Sequence, residues 1–279
     1  MKLRVVELLL VTTLPAMVLA KGGLPSFGLT LATIIGGTLA AGSANAFNMV
    51  IEADVDKLMK RTSTRPLVTG AISKIEALIF ASTIGVLSLA IFRVFTTDLA
   101  TLLAAIAIGY YVFIYTIGLK RHTSQNIVWG GAAGCMPVLI GWAAVTNSLS
   151  FTAWAFFFVI FFWTPPHFWA LAIKYKDEYE TAGIPMLPVV ATRSNLLRQM
   201  WLHTVLMVLT SLVVLASAGL QWWTYLLTLA LGFVFTVQLL GLKENASNYN
   251  KVAGKIFQWS ITYLSLYSVL LVAAQLLKA

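Results

Sequence analysis

The chain has 279 residues, of which 59% are hydrophobic and 10% are charged, and its mean hydropathy is +0.86. A water-soluble domain of that composition would expose a large apolar surface, so an ordinary soluble protein is excluded. The net charge of +9 does not indicate nucleic-acid binding, because the basic residues lie in short gaps between apolar runs. A single cysteine, Cys135, cannot build a disulfide framework or a cysteine metal site. We predict an all-α protein embedded in the lipid bilayer.

Apolar runs define the predicted helices. A membrane-spanning helix needs about 20 apolar residues, and nine such runs begin near residues 5, 28, 72, 99, 126, 151, 201, 222 and 256. We keep the first run as a span rather than a removable signal peptide, because no persuasive cleavage site follows Lys21. No linker or composition break interrupts the chain, so we predict one domain over residues 1–279.

The distribution of charge predicts the orientation of these helices. If the N-terminus is cytoplasmic, all of the 19 Lys and Arg residues except Lys21, Arg93 and Lys278 fall on the cytoplasmic side. The C-terminus is then outside, and we expect a multi-pass protein of the inner or plasma membrane. Only one acidic residue, Asp98, falls outside, and the long polar gaps are cytoplasmic. We therefore expect a cavity that opens to the cytoplasmic side.

The most informative segment follows the second span. Asn48, Glu52 and Asp56 recur at every fourth residue, so they advance by about 40° per step around a helix and face one cavity. Three oxygen donors in this arrangement suit Mg²⁺, which binds a few carboxylates together with water and phosphate. Asp54 points elsewhere and is expected to pair with a cation of the same loop.

Three cations, Lys60, Arg61 and Arg65, follow within one or two turns. They would bind a departing diphosphate, which arginine can hold through two parallel hydrogen bonds. Taken alone, these cations also fit an ordinary solvated loop on the cytoplasmic side. That second interpretation does not explain Asn48 and Glu52, because polar groups are costly at the end of an apolar helix.

This segment resembles the pattern of the UbiA-type prenyltransferases, Asn-x3-Asp-x3-Asp followed by Lys-Arg-Thr-x-x-Arg-Pro-Leu. The matching residues are Asn48, Asp56, Lys60, Arg61, Thr62, Arg65, Pro66 and Leu67. Glu52 departs from the pattern, because the family usually has aspartate there. The resemblance implies a bundle of membrane helices that transfers a prenyl group from a diphosphate held through Mg²⁺.

A second polar segment follows the sixth span. The adjacent prolines Pro165-Pro166 are predicted to kink or restart the helix at membrane depth. Beyond them, His167, Lys174 and Glu178 share one helical face, and Asp177 flanks it. We predict a second site in which Lys174 binds the diphosphate. Either Asp177 or Glu178 would hold a second Mg²⁺.

The run from Trp163 to Tyr179, followed by Gly-Ile-Pro-Met-Leu-Pro, resembles the protohaem IX farnesyltransferase branch of that family. The segments 115–121 and 126–134 and the segment that begins at Glu7 resemble it as well, so the resemblance covers most of the chain. Small residues in the second of these segments predict a close helix-packing face. They are Gly130, Gly131 and Gly134.

The resemblance to this branch implies the substrates. Farnesyl diphosphate is the expected donor, a vinyl group of protohaem IX is the expected acceptor, and addition of water gives haem O. The metal would lie on Asn48, Glu52, Asp56 and Asp177, which would be the catalytic set. Mg²⁺ is the expected cofactor.

The remaining candidate residues would contact the substrates. Lys120, Arg121 and Asn126 are expected to contact phosphate or a haem propionate. His167 is expected either to bind the haem iron or to remain structural, with Trp163 beside the haem. Aromatic faces also stabilise an allylic cation. The candidates for that role are Tyr115, Trp163 and Phe168.

Two other functions stay open. A UbiA-type enzyme acting on a quinone precursor or chlorophyllide would share the first segment, but the Pro-Pro-His-Phe-Trp block of residues 165–169 argues against it. A haem-transport or oxidase-assembly protein would place polar residues deep in several spans, whereas here they gather at one face. Terminal-oxidase assembly factors are candidate partners, and no nucleic-acid partner is expected.

Overall fold

The computed structural model describes residues 3–242 and 248–278, with side chains from residue 11 onward. Lys2 and Lys243, which entered the charge argument, and the side chain of Glu7, which entered the resemblance, lie outside the described part. No β-strand occurs in the described ranges, which confirms the all-α prediction.

Helices account for most of the described chain. In order they are α1 (Leu3–Lys21), α2 (Phe27–Ile51), α3 (Ala53–Asp56), α4 (Pro66–Thr69), α5 (Lys74–Phe95), α6 (Asp98–Gly109), a π-helix (Tyr110–Leu119), α7 (Asn126–Gly130), α8 (Ala132–Thr146), α9 (Phe151–Lys174), α10 (Lys176–Thr181), α11 (Leu187–Val190), α12 (Arg193–Ser217), α13 (Trp222–Leu240) and α14 (Tyr249–Lys278). The π-helix continues α6 directly, and α8 follows α7 after a single residue.

Eight helical stretches in the described part are long and apolar enough to cross a membrane. They are Phe27–Ile51, Lys74–Phe95, Asp98–Leu119, Asn126–Thr146, Phe151–Lys174, Arg193–Ser217, Trp222–Leu240 and Tyr249–Lys278. Large apolar side chains on these helices are exposed, as lipid contact requires. The protein is therefore a multi-pass membrane protein. The first predicted span, near residue 5, corresponds to α1, in which Val11–Lys21 is a shorter apolar helix, so the count of nine spans stays a prediction.

Helix α2, which carries Asn48 of the predicted metal site, packs closely against α5. A Cβ atom at Gly85 would lie 2.7 Å from Ser43 Oγ, so glycine is required for this approach. The Ser43 hydroxyl donates to Ala81 O at 2.7 Å, and the Ser88 hydroxyl donates back to Gly36 O at 2.6 Å. Hydroxyl groups thus join the two backbones within the membrane.

Helix α9, which carries His167, packs against α8, α12 and α14. Of the kink or restart predicted at Pro165-Pro166, the restart is wrong, because α9 continues through both prolines to Lys174. The kink stays a prediction. Each proline lacks a backbone N–H, so the two together remove two hydrogen bonds of the helix. In membrane proteins, packing by neighbouring helices compensates for hydrogen bonds lost in this way. Both prolines are buried. The chain instead breaks at Tyr175, between α9 and α10 (φ −110°, ψ 24°).

Candidate functional site

The predicted acidic cluster lies at the junction of α2 and α3. Backbone hydrogen bonds of 2.9 Å run from Glu52 N to Asn48 O and from Asp56 N to Glu52 O, so the four-residue repeat continues across the helix break. All three side chains are buried. Asn48 Nδ2 donates to Glu52 Oε2 at 2.7 Å, so these two side chains contact each other.

Each buried carboxylate of this cluster has a cation beside it. Lys120 Nζ lies against Glu52 Oε2, and Arg65 lies against Asp56 Oδ2. Thr62 donates to Asp56 O at 2.9 Å, which closes the loop that brings Arg65 back to the cluster. The other oxygen of Glu52, Oε1, is buried and has no hydrogen-bond partner in the described part of the chain. A buried unpaired carboxylate oxygen is a position at which a ligand cation is expected.

The π-helix positions Lys120. Its Thr116 donates to Tyr111 O at 2.8 Å, five residues back, and accepts from Asn48 Nδ2 at 3.1 Å. Lys120 N donates to Tyr115 O at 2.9 Å, so the lysine directly continues the π-helical turn. Asn126 is fully buried and donates from Nδ2 to Lys120 O at 3.1 Å. Short π-helical stretches frequently occur at functional sites, and here one joins Lys120 to the acidic cluster.

The predicted packing face of small residues is partly right. A Cβ atom at Gly130 would lie 2.1 Å from the Tyr115 ring, and one at Gly131 would lie 2.7 Å from Ile127 O. Glycine at these two positions therefore permits close packing. The prediction for Gly134 is wrong, because a Cβ atom there would meet no atom within 4 Å.

Asp54 lies at the exposed edge of the site and pairs with Arg121. The Arg121 guanidinium donates to both carboxylate oxygens of Asp54, at 2.9 and 2.8 Å. These bonds are the main reason why the pKa of Asp54 falls from an ordinary 3.8 to about 2, and they raise the pKa of Arg121. The expected pairing with a cation of its own loop is wrong, because Arg121 comes from the loop that follows the π-helix.

Helix α10 brings a second group of side chains against Arg61. Glu178 Oε2 accepts the backbone N–H of Arg61 at 3.4 Å, and the Arg61 guanidinium lies 3.5 Å from the Tyr179 hydroxyl. The same guanidinium lies 5.6 Å from the centre of the Tyr175 ring. Burial raises the pKa of Tyr179; the charge of Glu52 also raises it, while Arg61 lowers it. Tyr179 therefore shares an environment with the first cluster.

Asp177 and Lys174 lie on a different side of α9 and α10. Both line a cavity of about 180 Å³ whose wall also includes Arg193 and Tyr249. No residue of the first cluster is among the described lining of this cavity. The sequence left open whether Asp177 or Glu178 completes the metal site. Of these two, Glu178 is the one that contacts Arg61 in the loop after α3.

Within the described chain, no three His, Cys, Asp or Glu side chains lie close enough together to hold a metal ion. Glu52 and Asp56 therefore do not cluster with Asp177 or Glu178 in this structure. Lys60 is exposed.

His167 lies inside the helix bundle and contacts α14. Its ring stacks on Trp163, with centroids 4.2 Å apart, and on Phe257 at 4.6 Å. His167 Nδ1 lies 2.6 Å from Ser260 Oγ, and Trp163 Nε1 donates to Ser260 O at 2.7 Å. The predicted common face of His167 with Lys174 and Glu178 is not observed among the described contacts, because α9 ends before Glu178.

Sequence reasoning missed three residues of the site. Thr116 and Tyr179 lie within segments that carry the family resemblance, but nothing in their spacing indicates a contact with Asn48 or Arg61. Ser260 lies in an apolar helix without any motif. No pattern in the sequence could have assigned it.

Residues 9–261 match the model of the UbiA prenyltransferase family. The chain belongs to this family. It is 49% identical over 285 residues to protohaem IX farnesyltransferase of Kineococcus radiotolerans, with 96% of this chain and 84% of the relative covered. It is 50% identical over 273 residues to the enzyme of the same name from Renibacterium salmoninarum, with 97% and 86% covered.

Solved structures of the UbiA family share the fold. A UbiA homologue from Archaeoglobus fulgidus bound to GPP and Mg²⁺ superposes with a TM-score of 0.70 at 19% identity, and 97% of this chain and 98% of that chain are covered. The predicted UbiA-type helix bundle is thereby confirmed.

Proposed function

We propose that this protein transfers the farnesyl group of farnesyl diphosphate to a vinyl group of protohaem IX, with addition of water, and so makes haem O and diphosphate. The observation that carries the proposal is the identity of about half of all residues, over nearly the whole chain, to relatives named protohaem IX farnesyltransferase. In this reaction the bond between farnesyl C1 and the diphosphate oxygen breaks, and its electron pair leaves with diphosphate. C1 bonds to the terminal vinyl carbon, and water adds to the other vinyl carbon and releases a proton.

The first cluster is the proposed metal and diphosphate site. Asn48, Glu52 and Asp56 would hold Mg²⁺, which neutralises the charge that develops on the leaving diphosphate. The unpartnered, buried Oε1 of Glu52 fits this role, because a metal would supply the missing partner. A related fold that binds GPP and Mg²⁺ supports the choice of a divalent cation. Asp177 or Glu178 would complete the site, and the contact of Glu178 with Arg61 favours Glu178.

The cations around this cluster are proposed to bind the phosphate groups. Lys120 and Arg65 already lie beside the carboxylates, so each could contact a metal-bound diphosphate with little movement. Arg61 and Lys60 come from the same loop, and Arg121 would contact the outer oxygens. Lys174 lines the separate cavity with Asp177, so it would bind phosphate only if the diphosphate extends into that cavity. Asn126 bonds to Lys120 O rather than facing outward, so we propose that it supports the lysine.

The haem site is proposed at His167 and Trp163. The edge of the imidazole opposite Ser260 would face the haem, because aromatic rings cover both ring faces. Low water content around these apolar side chains would delay quenching of the allylic cation until the vinyl group attacks.

We further propose that the active face is cytoplasmic and that the protein resides in the plasma membrane as one domain. The excess of Lys and Arg in alternate loops supports this orientation. The C-terminus would then lie outside. Terminal-oxidase assembly factors are the proposed partners.

A reaction with purified protein in detergent tests the proposal. Protohaem, farnesyl diphosphate and Mg²⁺ are supplied, and the haem products are separated by chromatography and weighed by mass spectrometry. We expect haem O from the wild type and from Asp98→Asn, an exposed carboxylate paired with Arg93 far from the site in sequence. We expect none from Asp56→Asn or after chelation of the metal.

Two outcomes would favour the alternatives. Prenylation of a quinone precursor without any haem product would assign the protein to a sibling branch of the family. Stable haem binding without turnover of any acceptor would favour a haem-transport or oxidase-assembly role.

A further inference from the structure

The imidazole of His167 can interact only through its edge. Trp163 stacks on one face with an interplanar angle of 19°, and Phe257 stacks on the ring at 27°. The Phe168 ring meets the imidazole edge-on, at 89°. Two helices, α9 and α14, thus hold the ring in a fixed plane. Whatever His167 binds must lie in that plane, at a ring nitrogen.

The hydrogen bonds of Ser260 determine which ring nitrogen carries the proton. Ser260 Oγ lies 2.6 Å from Phe257 O and 2.6 Å from His167 Nδ1. A carbonyl oxygen can only accept, so both contacts are hydrogen bonds only if the single hydroxyl proton is donated to Phe257 O. His167 Nδ1 must then be the donor to Ser260 Oγ. The neutral imidazole therefore carries its proton on Nδ1 and has a free electron pair on Nε2.

We propose that Ser260 is a positioning residue that holds His167 in the Nδ1–H form, so that Nε2 binds the iron of the protohaem substrate. This inference rests on the proposed function. Neutral imidazole binds metals through one nitrogen, and a hydrogen bond from the other nitrogen fixes the ring and raises its basicity. In the described part of the chain, Nε2 makes no hydrogen bond, so no protein group competes with iron for it.

Ser260→Ala separates this role from packing. The substitution removes the hydroxyl but leaves Ser260 O, which accepts from Trp163 Nε1. Ser268→Ala is the matched control, because Ser268 is a buried serine on the same helix whose hydroxyl has no hydrogen-bond partner within the described residues.

The first test needs no haem. The chain has three histidines, so ¹⁵N-histidine NMR of the full-length protein in detergent is assignable by comparison with His167→Asn. Protonated and bare ring nitrogens have well-separated ¹⁵N shifts. We expect the Nδ1–H form for His167 in the wild type and in Ser268→Ala, and a mixture of forms in Ser260→Ala. An Nε2–H form in the wild type would overturn the proposal without any variant.

The second test measures ligation. Protohaem is titrated into each protein without farnesyl diphosphate, and the Soret band and electron paramagnetic resonance report a nitrogen ligand. We expect Ser260→Ala to raise the Kd for haem about 10–100-fold and His167→Ala to lose the nitrogen signal. An unchanged Kd and spectrum in Ser260→Ala would refute the role of Ser260.

The two proposals fail in different ways. Suppose that the wild type makes haem O and that haem bound to His167→Ala still has a nitrogen ligand. The inference is then wrong and the proposed function stands. If the wild type shows the His167-dependent spectrum but makes no haem O, the proposed function is wrong and the ligation is still established.

Discussion

The two carboxylate oxygens of Glu52 have different surroundings: Lys120 Nζ lies against Oε2, while Oε1 is buried without a partner in the described structure. The side chain of Glu52 is almost fully buried. Removing a carboxylate from water is costly unless a cation is close. Lys120 therefore stabilises the cluster before any ligand binds, and Oε1 is the position at which we propose that the metal binds.

Removal of this lysine should destabilise the protein. Lys120→Met leaves Glu52 buried without its cation, so we expect a loss of about 3–5 kcal/mol in the free energy of unfolding. The double variant Glu52→Gln/Lys120→Met removes both charges and should recover most of the loss. Thermal unfolding in detergent, with and without Mg²⁺, measures the effect. Mg²⁺ should partly restore the single variant.

Lys57→Met is the control for that comparison. Lys57 is exposed and makes no ion pair within the described residues. Equal unfolding midpoints for Lys57→Met and Lys120→Met would show that the contact with Glu52 contributes nothing to stability.

The two adjacent carboxylates of α10 should differ in function. Glu178 contacts Arg61, whereas Asp177 lines the separate cavity. We expect Glu178→Gln to lower kcat/KM for farnesyl diphosphate by about 10–100-fold, as loss of a supporting contact at a metal site does. Asp177→Asn should stay within a few-fold of the wild type. Steady-state kinetics of both variants tests this. A larger loss of kcat/KM in Asp177→Asn than in Glu178→Gln would make Asp177 the second metal ligand.

Gly130 and Gly134 form a matched pair for helix packing. Gly130→Ala would place a Cβ atom against the Tyr115 ring, and overpacking typically costs about 1–3 kcal/mol. Gly134→Ala meets open space, so we expect no loss of stability. Thermal unfolding of both variants tests this. A neutral Gly130→Ala would mean that the π-helix moves freely enough to accommodate the methyl group.

The contact between Asp54 and Arg121 predicts a pH dependence of stability. The pKa of Asp54 is about 2 in the folded protein, below the ordinary 3.8, so the contact contributes fully above pH 4 and is lost as the pH falls through about 2. The pair is largely exposed, so Asp54→Asn should cost at most about 1 kcal/mol at neutral pH. Unfolding midpoints from pH 7 to pH 2 should converge for wild type and variant. A constant difference down to pH 2 would contradict this.

Local periodicity was sufficient to predict which residues share a helical face. The spacing of Asn48 and Glu52 placed both residues on one helical face, where the structure shows them in contact, and hydropathy predicted the spanning helices. Lys120 could not be assigned to Glu52 in the same way, because the two residues are 68 positions apart. One lysine among many loop cations carries no information about its partner.

The errors have physical causes as well. Pro165-Pro166 predicts a helix break from backbone chemistry, but packing around α9 outweighs the two lost hydrogen bonds. The family motif could not separate Asp177 from Glu178, because their orientation depends on the break at Tyr175. A π-helix has no recognisable sequence pattern, so the position of Thr116 was visible only in the structure.

The His167 site also has an order of assembly. Asn48, Glu52, Thr116 and Lys120 all lie in the first half of the chain, so the acidic cluster can form once the ribosome has released residue 120. Phe257 and Ser260 lie about 90 residues after His167. The imidazole therefore has Trp163 beside it from the start, but it lacks Phe257 and Ser260 until α14 enters the membrane. Insertion of the last helix into the membrane is therefore the step that completes the surroundings of His167.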